Sequence, residues 1–161
     1  HAAIDTVRPA VEAKSLRLEV ELHAEASHVV VDANRMQQVI WNLLANAAKF
    51  TPPGGTIWVG LARDGGEAVL TVRDSGVGIS PAFLPFVFDR FRQADSASNR
   101  VHGGLGLGLA IVRHLVELHG GTVQAASAGE YQGASFTVRL PLGDDAGAAD
   151  TAPQRCPPEL Q

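Results

Sequence analysis

The sequence predicts an α/β (α+β) two-layer sandwich, a sheet covered on one face by helices. Residues 16–22, "LRLEVEL", alternate between apolar and polar side chains with the period of a half-buried strand. Two further strand-like segments, 56–63 and 67–74, are joined by residues 64–66, "DGG", which is a hairpin signal. Residues 33–49 place their apolar side chains at helical spacing. Adjacent hairpin strands with interspersed helices indicate the sandwich.

The remaining elements are bounded by capping and turn residues. Asp32 is a credible N-cap for the second helix, Pro81 follows Ser80 at the start of a short one, and Gly120 ends the last. In chain order we expect a helix over 1–15, strands over 16–22 and 28–32, a helix over 33–49, strands over 56–63 and 67–74, helices over 80–88 and 105–118, and strands over 122–127 and 134–142. The domain then spans residues 1–142, and residues 143–161 form a linker or disordered tail.

Composition restricts the classes of function. The chain has 161 residues, 45% of them hydrophobic, and a formal net charge of −4, which argues against a general nucleic-acid binder. No apolar run is long enough to cross a bilayer, and the single cysteine, Cys156, rules out a disulfide framework within the chain. We expect a cytoplasmic, monomeric domain without direct membrane contact. Because helix-compatible residues already begin at His1, we interpret the chain as part of a longer protein.

A glycine run, "HGGLGLGLA", precedes the last predicted helix. It is not a P-loop, because no Lys-Ser/Thr pair follows, and Leu109 stands where a dinucleotide fingerprint needs its third glycine. Free backbone N–H groups at the start of a helix suit a phosphate. A flexible connection or close helix–strand packing explains the glycines equally well.

Two other segments carry polar groups suited to a ligand. In "RDSGVGIS", Asp74 ends a strand and could accept a hydrogen bond from an amine such as that of adenine, although an ordinary turn is the commoner explanation. On the helix of residues 33–49, Asn42, Asn46 and Lys49 share one stripe beside the apolar face. Amide oxygens there suit Mg²⁺ and the lysine suits phosphate, whereas a solvated polar edge is the alternative.

The long polar stretch "FVFDRFRQADSASNRVHGG" predicts a lid, because structureless loops of this length within a domain are usually lids or disordered. Its aromatic residues could anchor the lid while Arg100 or His102 contacts phosphate. We expect Phe86 in the core and Arg92 in solvent.

These segments together resemble the catalytic, ATP-binding domain of bacterial sensor histidine kinases, of the Bergerat type shared with gyrase, heat-shock chaperone and mismatch-repair ATPases. "NLLANAAKFTP" is similar to the N box, "DSGVGI" to the first glycine box, "FDRF" to the F box and "GGLGLGLAI" to the second glycine box. The resemblance covers residues 32–142 and implies a mixed, mainly antiparallel sheet with an ATP site between its helical layer and a lid.

The resemblance also implies roles for individual residues. Asp74 recognises the adenine amine, and Gly76, Gly78 and Ile79 shape the base pocket. Asn46 with Asn42 holds Mg²⁺, and Lys49 supports the phosphates. We infer from its charge and position that Arg100 contacts the γ-phosphate. Asn46, Lys49 and Arg100 are therefore the catalytic candidates. The other ATP-binding candidates are Phe88, Arg90 and Phe91 of the F box, a segment that meets the phosphoacceptor domain in related kinases, and His102, Gly103, Gly104, Leu105, Gly106, Leu107, Gly108 and Leu109.

Within that superfamily one position favours a protein-histidine kinase. Gyrase-like ATPases place a glutamate one helical turn before the metal-binding asparagine, where this chain has Asn42, so no carboxylate is available as a general base. No histidine of the chain lies in a phosphoacceptor context, so we expect the acceptor on a separate dimerisation domain. A response regulator receiver domain, separate or fused downstream in a hybrid kinase, is the expected further partner. A hydrolysing ATPase and a non-catalytic pseudokinase module are the alternatives.

Overall fold

The computed structural model describes residues 1–23, 29–92 and 107–143. These form three α-helices and five strands. In chain order they are α1 (Ala2–Ala13), β1 (Arg17–Leu22), α2 (Ala33–Phe50), β2 (Thr56–Asp64), β3 (Glu67–Asp74), α3 (Gly108–Leu118), β4 (Thr122–Ala126) and β5 (Ala134–Pro141), with a short 3₁₀ turn (Leu84–Phe86) after β3.

The strands form one mixed sheet in the order β1-β2-β3-β5-β4. β1 pairs with β2 in parallel and the other three pairs are antiparallel, so the predicted mixed, mainly antiparallel sandwich is confirmed. Among the described residues, no helix is long and apolar enough to cross a membrane.

The core lies between the helices and one face of the sheet. Alternate residues of the central strands point into it, including Ile57, Val72 and Val138, each 1% exposed or less. Of the apolar residues of α2 at helical spacing, Met36, Val39, Leu43, Leu44 and Ala47 are buried and Ile40 is partly buried; Ala48, which was not predicted, is buried with them. Asp32 caps α2 as predicted, accepting a hydrogen bond of 3.1 Å from the Arg35 amide. Helical periodicity therefore identified the layer that carries the candidate site.

Two predicted elements are wrong. Residues 29–32 form no strand: Val29 and Val31 pack on the core and Val30 is 87% exposed, so their alternation comes from a segment that pairs with no strand among the described residues. The helix predicted over 80–88 is only the short 3₁₀ turn, because Pro85 lacks the N–H that would continue an α-helix. The last helix begins at Gly108, and the preceding residues of its predicted first turn, 105–106, lie outside the described residues.

Candidate functional site

Asp74 is a carboxylate enclosed at the end of β3. It pairs with Ile57 of β2 and Ala134 of β5 and is only 4% exposed. Its Oδ1 accepts a hydrogen bond of 2.8 Å from the Gly76 amide. Burial raises the pKa of Asp74, and hydrogen bonds from the backbone amides of Gly76 and Ala134 oppose that rise. Since a carboxylate offers about four acceptor positions, Asp74 keeps capacity for a ligand's N–H group.

The segment that follows, residues 74–79, is called the glycine loop below. A Cβ on Gly76 would overlap the Phe50 carbonyl group of α2 and lie 2.7 Å from Asp74 Oδ1. Gly78 has φ +70°, and a Cβ there would overlap the Gly129 carbonyl group. Side chains at these positions would displace backbone that packs against the loop, so the loop needs glycine at both.

The connection between β4 and β5, residues 127–133, packs against the glycine loop and is called the cover loop. Ser127 Oγ accepts a hydrogen bond of 3.0 Å from the Ile79 amide and donates one of 2.7 Å to the Gly133 carbonyl. The Gly133 amide donates to the Gly76 carbonyl at 3.1 Å. Sequence analysis missed this loop, for which the glycines in "SAGEYQG" were the available signal.

Two asparagines on α2 have polar atoms without partners among the described residues. Asn42 Nδ2 is buried and has no hydrogen-bond partner among the described residues. The Asn42 amide faces the start of α3, since a Cβ on Gly108 would lie 3.6 Å from Asn42 Oδ1. The Asn46 side chain, half-buried one turn later, forms no hydrogen bond within the described part of the chain. We call Asn42, Asn46 and Lys49 the polar stripe.

The side-chain oxygens of Asn42 and Asn46 supply only part of the ligand set that Mg²⁺ needs. The described residues contain no group of three or more His, Cys, Asp or Glu side chains that could hold a metal by themselves. An amide oxygen from Asn46, with Asn42 beside it, suits a hard cation whose remaining ligands are phosphate oxygens and water. The unpartnered Asn42 Nδ2 is an N–H donor, so it suits a phosphate oxygen beside such a cation and not the cation itself.

Lys49 lies in the last turn of α2, with its Nζ 5.1 Å from the centroid of the Phe50 ring. The Phe50 carbonyl accepts a hydrogen bond of 3.0 Å from the Val77 amide, so this end of α2 is joined to the glycine loop. On its other side Lys49 lines a groove of about 280 Å³ between α1 and α2, together with Lys14 and Trp41.

The F box segment divides into packed and exposed residues. Phe88 packs edge-on against Phe136 of the sheet, with ring centroids 6.2 Å apart. Phe86 is not in the core as expected, because its ring is 39% exposed and lies 4.2 Å from the Arg92 guanidinium. Phe91 is 71% exposed and Arg90 is also exposed. Phe88 is thus the anchor, and the other aromatic rings are presented at the surface.

The structure brings Asp74, Gly76, Gly78 and Ile79 into one loop and sets Asn42 beside the start of α3, where Leu107, Gly108 and Leu109 lie. The Leu107 carbonyl accepts a hydrogen bond of 2.9 Å from the Ile111 amide. The other candidates of the lid and glycine run, Arg100, His102, Gly103, Gly104, Leu105 and Gly106, lie outside the described residues.

Comparisons with known proteins identify the family and the fold of the chain. Residues 31–144 match the model of the family described as histidine kinase-, DNA gyrase B-, and HSP90-like ATPase. The chain is 37% identical to hybrid signal transduction histidine kinase D of Dictyostelium discoideum, over 87% of this chain and 11% of that protein. It is 41% identical to the circadian input-output histidine kinase CikA of Synechococcus elongatus, over 78% of this chain and 17% of that one.

Two solved structures have the same fold. The mycobacterial sensor histidine kinase MprB aligns with a TM-score of 0.73 and 33% identity, covering 87% of this chain and 93% of that chain. Full-length ShkA in complex with AMPPNP aligns with a TM-score of 0.72 and 28% identity, covering 88% of this chain and 28% of that chain.

Proposed function

Because the chain belongs to the histidine kinase, DNA gyrase B and HSP90-like ATPase family, we propose that it binds Mg²⁺-ATP and transfers the γ-phosphoryl group to a histidine on a separate phosphoacceptor domain. The single observation that carries this proposal is that the domain has both the enclosed Asp74 carboxylate and, on α2, a buried Asn42 Nδ2 with no hydrogen-bond partner among the described residues. The former suits an adenine amine and the latter a metal-bound phosphate chain.

Each side of the proposed site has a distinct task. Asp74 accepts a hydrogen bond from the adenine amine. The glycine loop has no side chains at Gly76 and Gly78, so the flat ring can approach its backbone. Asn46 and Asn42 would hold the Mg²⁺ beside the phosphates, and Lys49 would add positive charge. When bound, Mg²⁺ neutralises phosphate charge and aligns the transferred group. The chain's own contribution is therefore positioning, which suits an acceptor nitrogen that is already nucleophilic.

The residues of α2 favour phosphoryl transfer over hydrolysis. Residues 33–50 contain no aspartate or glutamate, so the helix that holds the phosphates offers no carboxylate to activate water. The curated relatives are sensor kinases of which this chain spans about 11–17%, and a separate acceptor domain and a response regulator are therefore part of the proposal. Hybrid kinase D is in addition consistent with a fused receiver domain.

The proposal is tested by transfer in trans. The chain and Mg²⁺-ATP are mixed with the separately prepared phosphoacceptor domain of the parent protein, and acid-labile phosphohistidine is measured. We expect Asp74→Asn and Asn46→Asp to reduce transfer about 100-fold or more, since each removes a ligand contact and the site's catalysis rests on positioning. Asp64→Asn and Asn34→Asp are matched controls at exposed positions and should transfer normally.

Undiminished transfer by both site variants would overturn the assignment. Rapid steady-state ATP turnover by the isolated domain would instead favour a hydrolysing ATPase. Absence of Mg²⁺-ATP binding in calorimetry would favour a non-catalytic docking module.

A further inference from the structure

The C-terminal end of α2 has an unusual set of hydrogen-bond partners. The last four carbonyl groups of a helix have no partner within it, and here these belong to Ala47–Phe50. Ala47 accepts from Thr51, through the amide at 3.0 Å and Oγ1 at 2.6 Å. Phe50 accepts from the Val77 amide. The middle two carbonyls are satisfied by a residue from a distant part of the chain.

That residue is Lys14, which directly follows α1. Its Nζ donates to the Ala48 carbonyl at 2.7 Å, the Lys49 carbonyl at 2.9 Å and the Thr51 carbonyl at 3.1 Å. Its own carbonyl accepts the Gly54 amide at 3.0 Å, in the turn that leads to β2. One half-buried residue therefore holds both the end of α2 and the turn that follows it.

Lysine is chemically suited to this position. An ammonium group has three N–H donors, and the three carbonyl oxygens take one each. Hydrogen bonds from a charged donor are stronger than neutral ones, and positive charge is favourable at the negative end of a helix dipole. A methionine would fill the same volume but leave the Ala48 and Lys49 carbonyls without this donor.

The last turn of α2, which Lys14 holds, also carries Lys49, the last residue of the polar stripe. Lys49 is bonded through its own backbone carbonyl, and Asn46 lies one helical turn before Phe50, whose carbonyl is bonded to Val77 of the glycine loop. The chain's two lysines, Lys14 and Lys49, both lie here. Lys14 precedes residues 31–144, the part that matches the family model.

We propose that Lys14 is a positioning residue that fixes the last turn of α2 and thereby the phosphate side of the nucleotide site. The inference rests on the proposed function for its ligand, and on the hydrogen bonds alone for the fixing of the helix end. The N–H donors of Lys14 Nζ are taken by three carbonyl groups, so Lys14 acts through the placement of Lys49 and Asn46.

The test compares Lys14→Met with Lys14→Arg, which keeps the charge and donors. We expect Lys14→Met to weaken Mg²⁺-ATP binding about tenfold through misplacement of the phosphate-side groups, while adenosine binding changes less than about twofold. Lys14→Arg should restore most of the affinity. Arg8→Met is the matched control: it removes one positive charge from α1, where Arg8 pairs with exposed Asp5 at 3.2 Å, and should bind both ligands normally.

A second measurement needs no nucleotide. In Lys14→Met, amide hydrogen exchange should accelerate at Thr51 and Val77, whose N–H groups donate to the carbonyls of Ala47 and Phe50 at the end of α2. In Arg8→Met, exchange at both amides should stay unchanged. Unchanged exchange and unchanged Mg²⁺-ATP affinity would overturn the inference, as would equal weakening of Mg²⁺-ATP and adenosine. A wild-type chain that binds neither ligand would overturn the proposed function, while the exchange measurement would still decide the role of Lys14.

Discussion

The glycine loop and the polar stripe form two sides of the candidate site, and they differ in how their polar groups are satisfied. In the glycine loop, Gly76, Val77 and Ile79 are hydrogen-bonded to the cover loop, and Val77 also to α2. In the polar stripe, the Asn42 Nδ2 and the Asn46 side chain have no partner in the described part of the chain. The hydrogen-bonding groups of the glycine loop are thus used within the fold, whereas those of the polar stripe are available to a ligand. Changes in the first should cost stability and binding together; changes in the second should cost binding alone.

The largest effect is expected from Gly76→Ala, because its Cβ would overlap the Phe50 carbonyl group and crowd Asp74. We expect the free energy of unfolding to fall by about 1–3 kcal/mol, a typical cost of overpacking, and nucleotide binding to be lost. Denaturant unfolding and calorimetric titration measure the two. Gly66→Ala is the matched control, since a Cβ there meets nothing within 4 Å. If Gly76→Ala were as stable as the control, the glycine loop would be more adaptable than its contacts indicate.

Asn42→Leu tests the polar stripe with a side chain of the same branched shape. Because an unpartnered buried donor costs about 1–3 kcal/mol, the free energy of unfolding should stay level or rise, while Mg²⁺-ATP affinity should fall about tenfold. Gln38→Leu, at an exposed position of the same helix, is the control for added apolar surface. A clear loss of stability in Asn42→Leu alone would mean that the Asn42 amide has a structural partner and that the contrast between the two sides fails.

The smallest effect is expected from pH, through Asp74. Burial raises the folded-state pKa of Asp74 above the unfolded-state value, so the folded chain binds the proton more tightly. The contribution of Asp74 to stability is therefore complete below the unfolded-state pKa and is lost as the pH rises through the folded-state pKa. Adenosine affinity should change in the opposite direction, falling as pH is lowered through the raised pKa of Asp74 because the carboxylate becomes protonated. Titrations across this pKa measure it. Asp74→Asn should show a flat profile, and an equal pH dependence in that variant would assign the effect to another group.

The elements with strong local signals were predicted correctly. The period of α2, its Asp32 cap and the hairpin of β2 and β3 depend on residues close in sequence, so pattern alone located them. The errors arose where long-range contacts decide the conformation. Residues 29–32 alternate like a strand but pair with no strand in the described part of the chain, and Phe86 lies at the surface while Phe88 packs on Phe136. A sequence pattern records which side chains prefer burial, but not which backbone is available to pair with.

The candidate site shows the same division. The sequence alone determined the chemistry: an aspartate before two glycines, and two asparagines and a lysine on one face of a helix without carboxylates. Only the tertiary structure decided how these groups are held, through Ser127 against Ile79 and Lys14 against the end of α2, across 48 and up to 37 residues of chain. The physical reason is that residue type and local spacing determine what a side chain can bond, whereas the partner of a backbone amide or a helix-end carbonyl is chosen by packing between distant segments.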